Sequence, residues 1–174
     1  MTGILVKATG QSVLDFAAEN LFSPLGITGL KNVIFHSKEE QFAFNKAKNI
    51  SGWVADPTGI NTGGWGLTLS SMDMTKIGQL YLDGGRWNGK QMVSTRWIEE
   101  STKEHSRWEK RNLSYGYLWW VDGNKQGYAA MGDGGNILYV NTEKKMVVSI
   151  TSFLMPNAKD RIELIKEEIE PTFE

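Results

Sequence analysis

Hydrolytic acyl transfer needs an activated nucleophile, a base beside it, and two donors aimed at the developing oxyanion. None of the serines in this chain has a lysine three positions later, the spacing that would set an amine beside a hydroxyl on one helical turn. Thr28 and Thr142 do have that spacing, to Lys31 and Lys145, but so short a pattern recurs by chance. No catalytic residue is assigned. Donors are a different matter. In Ala130-Met131-Gly132-Asp133-Gly134-Gly135, a glycine can admit an approaching molecule to backbone N–H groups. The alternative is a glycine-rich strand entry that needs positive φ or a bulge. Gly63-Gly64-Trp65-Gly66 likewise has two readings: Trp65 stacks on a ligand, or it plugs the core while the glycines turn the chain. His36 and His105 are the two histidines and neither sits at ligand spacing from a second histidine or carboxylate, so neither a metal site nor a cofactor is expected. Gly132-x-Gly134 lacks the third glycine and the following helix of a phosphate loop.

These groups must be positioned by regular elements. Ser12 is an N-cap, and Val13, Leu14, Ala17, Ala18 and Leu21 recur at helical spacing, which predicts a helix from Ser12 to Phe22 stopped by Pro24 and Gly26. Residues Thr28 to Thr58 show no clear period and read as a long irregular excursion with short strands or turns. Ser70 or Ser71 caps a second helix with Met74, Ile77, Leu80 and Tyr81 on its apolar face, ending before Asp83-Gly84-Gly85. Asn88-Gly89 marks a tight hairpin, and Ser94 caps a third helix containing Trp97 and Ile98. Beyond Arg111 the composition turns to aromatic and β-branched residues. Tyr115 to Val121, Gly127 to Met131, Asn136 to Asn141 and Met146 to Phe153 predict three or so antiparallel strands in a meander, with Trp119 and Trp120 on opposite faces. Turns are expected at Asp122-Gly123-Asn124 and Glu143-Lys144-Lys145. Asn157 to Ile169 predicts a closing helix whose Ile162, Ile165 and Ile169 stripe covers one sheet face.

With 174 residues, 40% hydrophobic and 22% charged, the chain has the composition of a single globular domain. Lys and Arg total 19 against 20 acidic residues, without long blocks of one sign, so neither nucleic acid nor an anionic membrane is an expected partner. The absence of cysteine removes disulfides and thiolate chemistry. MTGILVKATGQS is too short in apolar length for a signal peptide, and no window approaches a span of about 20 apolar residues. As written the chain is expected to be cytoplasmic, with export open for full-length relatives.

Three stretches taken in order carry a resemblance: GQSVLDFAAENLFSPLGI, INTGGWGLTLSSMDMTKIGQLYLDGG and GYAAMGDGGNILYV. They resemble the later part of the serine β-lactamase and penicillin-recognising hydrolase family, which includes class C-like β-lactamases, DD-peptidases and related esterases. The resemblance implies an α+β fold, here a partial β-lactamase/transpeptidase-like one: a three-stranded antiparallel sheet with the C-terminal helix plus part of the helical lobe. It implies that 1–174 is the C-terminal portion of one such domain, without the N-terminal strands and the nucleophile helix. It further implies that the family's Ser-x-x-Lys and Tyr-x-Asn motifs belong before this chain. Tyr139-Val140-Asn141 matches the second of these in letters but falls in a strand candidate, where it reads as cross-strand packing. Carried over from the family's third motif, Lys-Thr-Gly or His-x-Gly, Ala130 takes the Lys or His place, Met131 the Thr place and Gly132 the Gly place. Asp133 follows as backbone donor, and Trp65 lines the same cleft. Losing the cation and the hydroxyl at Ala130 and Met131 argues for esters or amides over carboxylated β-lactams.

Three functions stay open at this point: a family fragment that is inactive alone, half of a split hydrolase completed by another chain, or a module that binds a small amide or ester ligand or a partner without turnover. The family also pairs its last strand with an N-terminal one. Met146 to Phe153 is therefore expected to present an open edge through which the chain self-associates, with Val148 as a position on that edge.

Overall fold

The computed structural model describes residues 1–111, 113–122, 126–132, 134–152 and 159–173, the side chain of Arg111 excepted. The chain divides into two compact units, Met1–Ser70 and Ser71–Glu174, and each is built around its own core.

In the first unit, α1 (Thr2–Thr9) is closed by Gly10 at φ 71. The next helix, α2 (Val13–Ala17), continues through a π-type turn over Ala18–Phe22, so it follows the span that the apolar spacing predicts. Its cap is reciprocal. Ser12 Oγ accepts from the Asp15 N–H at 3.0 Å and donates to the Asp15 carboxylate at 2.6 Å. Buried Phe22, Leu25 and Ile27 follow at 2–3% exposure. The excursion holds β1 (Asn32–Val33), α3 (Lys38–Lys46) and β2 (Gly52–Val54), and β3 (Leu67–Thr68) follows. β2 runs parallel to β1 and antiparallel to β3. The helices α1 and α3 escape a reading by apolar period because neither buries a residue; α3 is instead announced by Ser37, whose hydroxyl accepts from the Glu40 N–H. Asn61, 1% exposed, ties the unit together. Its Oδ1 accepts from the Leu14 N–H at 3.1 Å, and its Nδ2 donates to Asn32 Oδ1 at 2.7 Å.

The second unit opens with α4 (Ser71–Leu82). After it, β4 (Arg86–Trp87) and β5 (Lys90–Gln91) form the hairpin expected from Asn88-Gly89, both of which lie at positive φ. Ser94 then caps α5 (Thr95–Ser101), its hydroxyl accepting from the Trp97 N–H. The sheet is wider than three strands. An antiparallel meander of six runs in chain order through β6 (Ser106–Trp108), β7 (Leu113–Tyr115), β8 (Trp120–Val121), β9 (Gly127–Gly132), β10 (Asn136–Asn141) and β11 (Met146–Ile150). The span Tyr115 to Val121, expected as one strand, is the end of one strand, a turn over 116–119 and the start of the next. Gly116 sets that turn: a Cβ there would stand 2.3 Å from the Ser101 carbonyl oxygen. Leu118 completes it at φ 66. Gly123, Asn124, Phe153 and Asn157, which enter the sequence expectations, lie outside the described residues.

Both faces of the sheet are covered. On one, Met74, Ile77, Tyr81 and Leu82 of α4 meet Trp119, Tyr128, Leu138 and Val140. The helix can lie this close because position 78 is glycine; a Cβ there would be 2.5 Å from Val147 Cγ1 and 2.8 Å from Leu138 Cδ1. On the other face Ile162, Ile165 and Ile169 pack on Ala129, Ile137, Tyr139 and Met146. They belong to α6 (Arg161–Leu164) and the π-type turn Ile165–Ile169 that extends it, with Asp160 as N-cap. Trp119 and Trp120 point to opposite faces as expected, the first against Tyr81 and the second lining the C-terminal-helix side with Met131 and Ile162. No described helix is long and apolar enough to cross a membrane.

Tyr139 and Asn141 share the second face. The Tyr139 hydroxyl donates to Glu170 Oε1 at 2.6 Å and Asn141 Nδ2 donates to the same oxygen at 2.7 Å. Gly127 makes room for the ring, since a Cβ there would stand 2.7 Å from the phenol oxygen. Tyr-Val-Asn is thus a clamp on the C-terminal segment, as cross-strand packing predicts.

Two expectations follow. Gly78→Ala should destabilise the chain by about 1 kcal/mol or more in urea denaturation, because overpacking outweighs the roughly 1 kcal/mol that alanine gains in a helix; a more stable variant would show the seat to be loose. The second concerns alkali. Burial, with Glu170 beside it, pushes the Tyr139 phenol well above its ordinary value, and burial does the same for Tyr128. The unfolded chain ionises near the ordinary value of about 10, so this contribution is complete below about pH 10 and is lost as pH rises further. Stability should therefore fall above about pH 10, and Tyr139→Phe should flatten that fall. An alkaline limb of unchanged steepness in the variant would contradict it.

Candidate functional site

The residues that could border a substrate lie on the last turns of β9. Ala130, Met131 and Gly132 pair with Leu138, Ile137 and Asn136 of β10 on one side. On the other side β8 stops early, because its register reaches Ala129 opposite Trp120 and goes no further. Among the described residues the second backbone edge of 130–132 therefore has no strand partner. That notch is a place where an extended amide can pair with the chain.

Strand alternation sorts the three side chains. Ala130 packs against the cluster under α4. Met131 turns to the opposite face, 37% exposed, beside Trp120 and Ile162. Neither brings charge or hydroxyl. A Cβ built on Gly132 would make ordinary van der Waals contact with Asn136, 3.8 Å from its Cβ, and would clash with nothing among the described residues. Gly132 is also not at positive φ; Gly134 and Gly135 are, at 87° and 86°. The left-handed conformation that the glycine run requires thus belongs to the turn residues, and neither backbone angle nor crowding by the described residues requires a glycine at 132. Asp133 lies outside the described residues.

Three residues with no sequence signal hold this turn. Ser152 donates from its N–H to Asn136 Oδ1 at 3.0 Å and from its hydroxyl to the Gly134 carbonyl at 2.8 Å. Arg161 donates to the Ser152 hydroxyl at 3.0 Å. Its guanidinium lies so close over Gly135 that a Cβ there would fall 2.5–2.7 Å from it. Gly135 is thus required twice, by its φ and by the arginine. The contacts join residues far apart in the chain, which is why spacing could not reveal them.

Trp65 belongs to the first unit. It is 49% exposed and stacked on Phe35 with centroids 6.4 Å apart, so it does not plug a core. Gly66 beside it is obligatory, at φ 82 with Val54 Cβ 2.7 Å from where its own Cβ would be, whereas Gly64 has open space.

The sequence model of the Beta-lactamase family matches residues 1–170. The 6-aminohexanoate-dimer hydrolase of Paenarthrobacter ureafaciens is 26% identical over 117 residues, 61% of this chain and 30% of that protein. Among solved structures, a putative 6-aminohexanoate-dimer hydrolase from Bacillus anthracis is similar with a TM-score of 0.69 and 23% identity, over 98% of this chain and 40% of that one. A penicillin-binding protein homologue from Caulobacter crescentus is similar with a TM-score of 0.54 and 16% identity, over 90% of this chain and 51% of that one. The chain thus spans between about a third and a half of the length of these relatives. A match along 1–170, with the meander of strands closed by a C-terminal helix, places this chain in the β-lactamase family of hydrolases.

Proposed function

We propose that this chain is the substrate-holding C-terminal part of a β-lactamase-like serine hydrolase, acting on neutral amides or esters, and that it is inactive by itself. The observation that carries the reading is the backbone edge at 130–132, which has no strand partner among the described residues, with Gly132 uncrowded by them. An acyl group laid along that edge exchanges main-chain hydrogen bonds with it, and the glycine lets its carbonyl approach. By analogy with the family, the N–H of Asp133 is the oxyanion donor. Ala130 and Met131 supply no cation or hydroxyl for a carboxylate, which favours uncharged substrates over carboxylated β-lactams. Two of the similar proteins are named as 6-aminohexanoate-dimer hydrolases, which supports an amide over a β-lactam but not the absence of charge on the substrate. The attacking serine would come from a segment carrying Ser-x-x-Lys, since no serine among these 174 residues has that lysine. The relatives' greater length supports completion by such a segment.

The test is direct. The isolated chain should give no turnover of a chromogenic β-lactam or a short-chain aryl ester above buffer, and no covalent labelling by penicillin or a fluorophosphonate probe. Stoichiometric acylation at any serine would overturn the inactivity. Neutral amides should nonetheless shift the amide resonance of Gly132.

We also propose that the chain self-associates through β11, as two such strands side by side. Among the described residues β11 pairs with β10 alone, and Met146–Ile150 contains neither proline nor charge to block pairing. Val148 is not a position for testing this, because its side chain packs under the C-terminal helix and a lysine there would disrupt the core. Sedimentation of the unaltered chain should show a concentration-dependent dimer, with slow amide exchange over 147–151. A monomer at high concentration with rapid exchange over that span would refute it.

A further inference from the structure

The notch beside Gly132 has a second wall, made by the turn over 116–119. The register Tyr115↔Trp120 and Trp120↔Ala129 puts this turn at the end of the sheet where β9 runs on past β8. The turn is rigid. Gly116 donates to the Trp119 carbonyl at 2.8 Å, and Tyr117 donates to the Ser101 carbonyl at 2.8 Å. The Tyr117 ring stacks with His105, 4.0 Å away and 12° from parallel, and with Trp97, 5.7 Å away and 20° from parallel. At its tip Leu118 is held at φ 66 with 72% of its surface in water. A bulky residue in the left-handed well is strained, and exposure leaves that strain without compensating burial. Asparagine or glycine would fold there more easily.

We propose that Leu118, exposed at the tip of this turn, is the specificity-determining contact for the acyl chain of the substrate, selecting for an aliphatic chain laid along 130–132. The inference rests on the substrate-edge reading given above. The nearby charges do not favour an ionic ligand, because Lys103 pairs with Glu100 at 2.7 Å and His105 also faces Glu100, at 3.5 Å. The side chain that the tip of the turn presents to solvent, Leu118, is aliphatic.

The experiment titrates the isotope-labelled chain with N-methyl amides of acetic, butyric and hexanoic acid and follows backbone amide resonances. Shifts are expected at Gly132, Tyr117 and Leu118, with the dissociation constant falling by up to about fourfold for each added methylene. Leu118→Asn, which accepts the left-handed backbone, should abolish this chain-length dependence while the Gly132 shift persists. Leu118→Gly should do the same with thermal stability equal to or above that of the parent, so lost binding cannot be ascribed to lost folding. An undiminished chain-length dependence in both variants, with Gly132 still shifting, overturns the role of Leu118 and leaves the substrate edge standing. If no amide of the series shifts Gly132, both readings fall.

Discussion

Burial of both faces of the β9–β11 hairpins is the constraint on which the second unit depends. Val140 and Tyr139 are neighbours in β10 at 0% and 2% exposure, one against α4 and the other under the C-terminal helix. Burial of one face already specifies the pairing register, and burial of both specifies it twice over. Slipping β10 by one residue would send Tyr139 into the space held for Val140 and strand its hydroxyl away from Glu170. The extent of β8 is set separately, by the turn over 116–119 that Gly116 seats against the end of α5, so β8 meets β9 only as far as Ala129 while β9 continues.

Polar groups taken into these cores are few, and nearly all are paired. Asn61 closes the first unit by joining the start of α2 to β1, and Glu170 closes the second by receiving both Tyr139 and Asn141. Each works because an unsatisfied partner would cost more than the bond itself returns. Ser149 Oγ is the exception, buried without a partner among the described residues. It lies on β11, the strand whose outer backbone edge is also unpaired.

Glycine is used in this molecule for approach as much as for turning. Gly78 lets a helix down onto the sheet, Gly127 admits a tyrosine ring, Gly116 docks a turn on the end of α5, and Gly135 receives the Arg161 guanidinium. Gly132 differs from these four, because a Cβ there would meet only Asn136 among the described residues, and at ordinary contact distance. Leu118 is the converse case, a large side chain where a small residue would be easier to fold.

What the sequence by itself determined is what local chemistry dictates. The caps at Ser12 and Ser94, the Asn88-Gly89 hairpin, the apolar face of α4, the isoleucine stripe of the C-terminal helix and the opposite facing of Trp119 and Trp120 all follow from period and cap residues. So does the family, through motifs in order along the chain. The helices α1 and α3 were not legible, because neither buries an apolar stripe. The turn over 116–119 was not legible either, since Tyr117, Trp119 and Trp120 spell a strand; the break comes from the carbonyl groups of Ser101 and Lys103 pressing on Gly116. Tertiary structure alone decided which glycines are crowded by distant groups, that Arg161 and Ser152 hold the turn after Gly132, and where β9 outruns β8. The reason is physical: each depends on groups distant in the chain meeting within a few ångströms, and spacing along a sequence carries no record of such meetings.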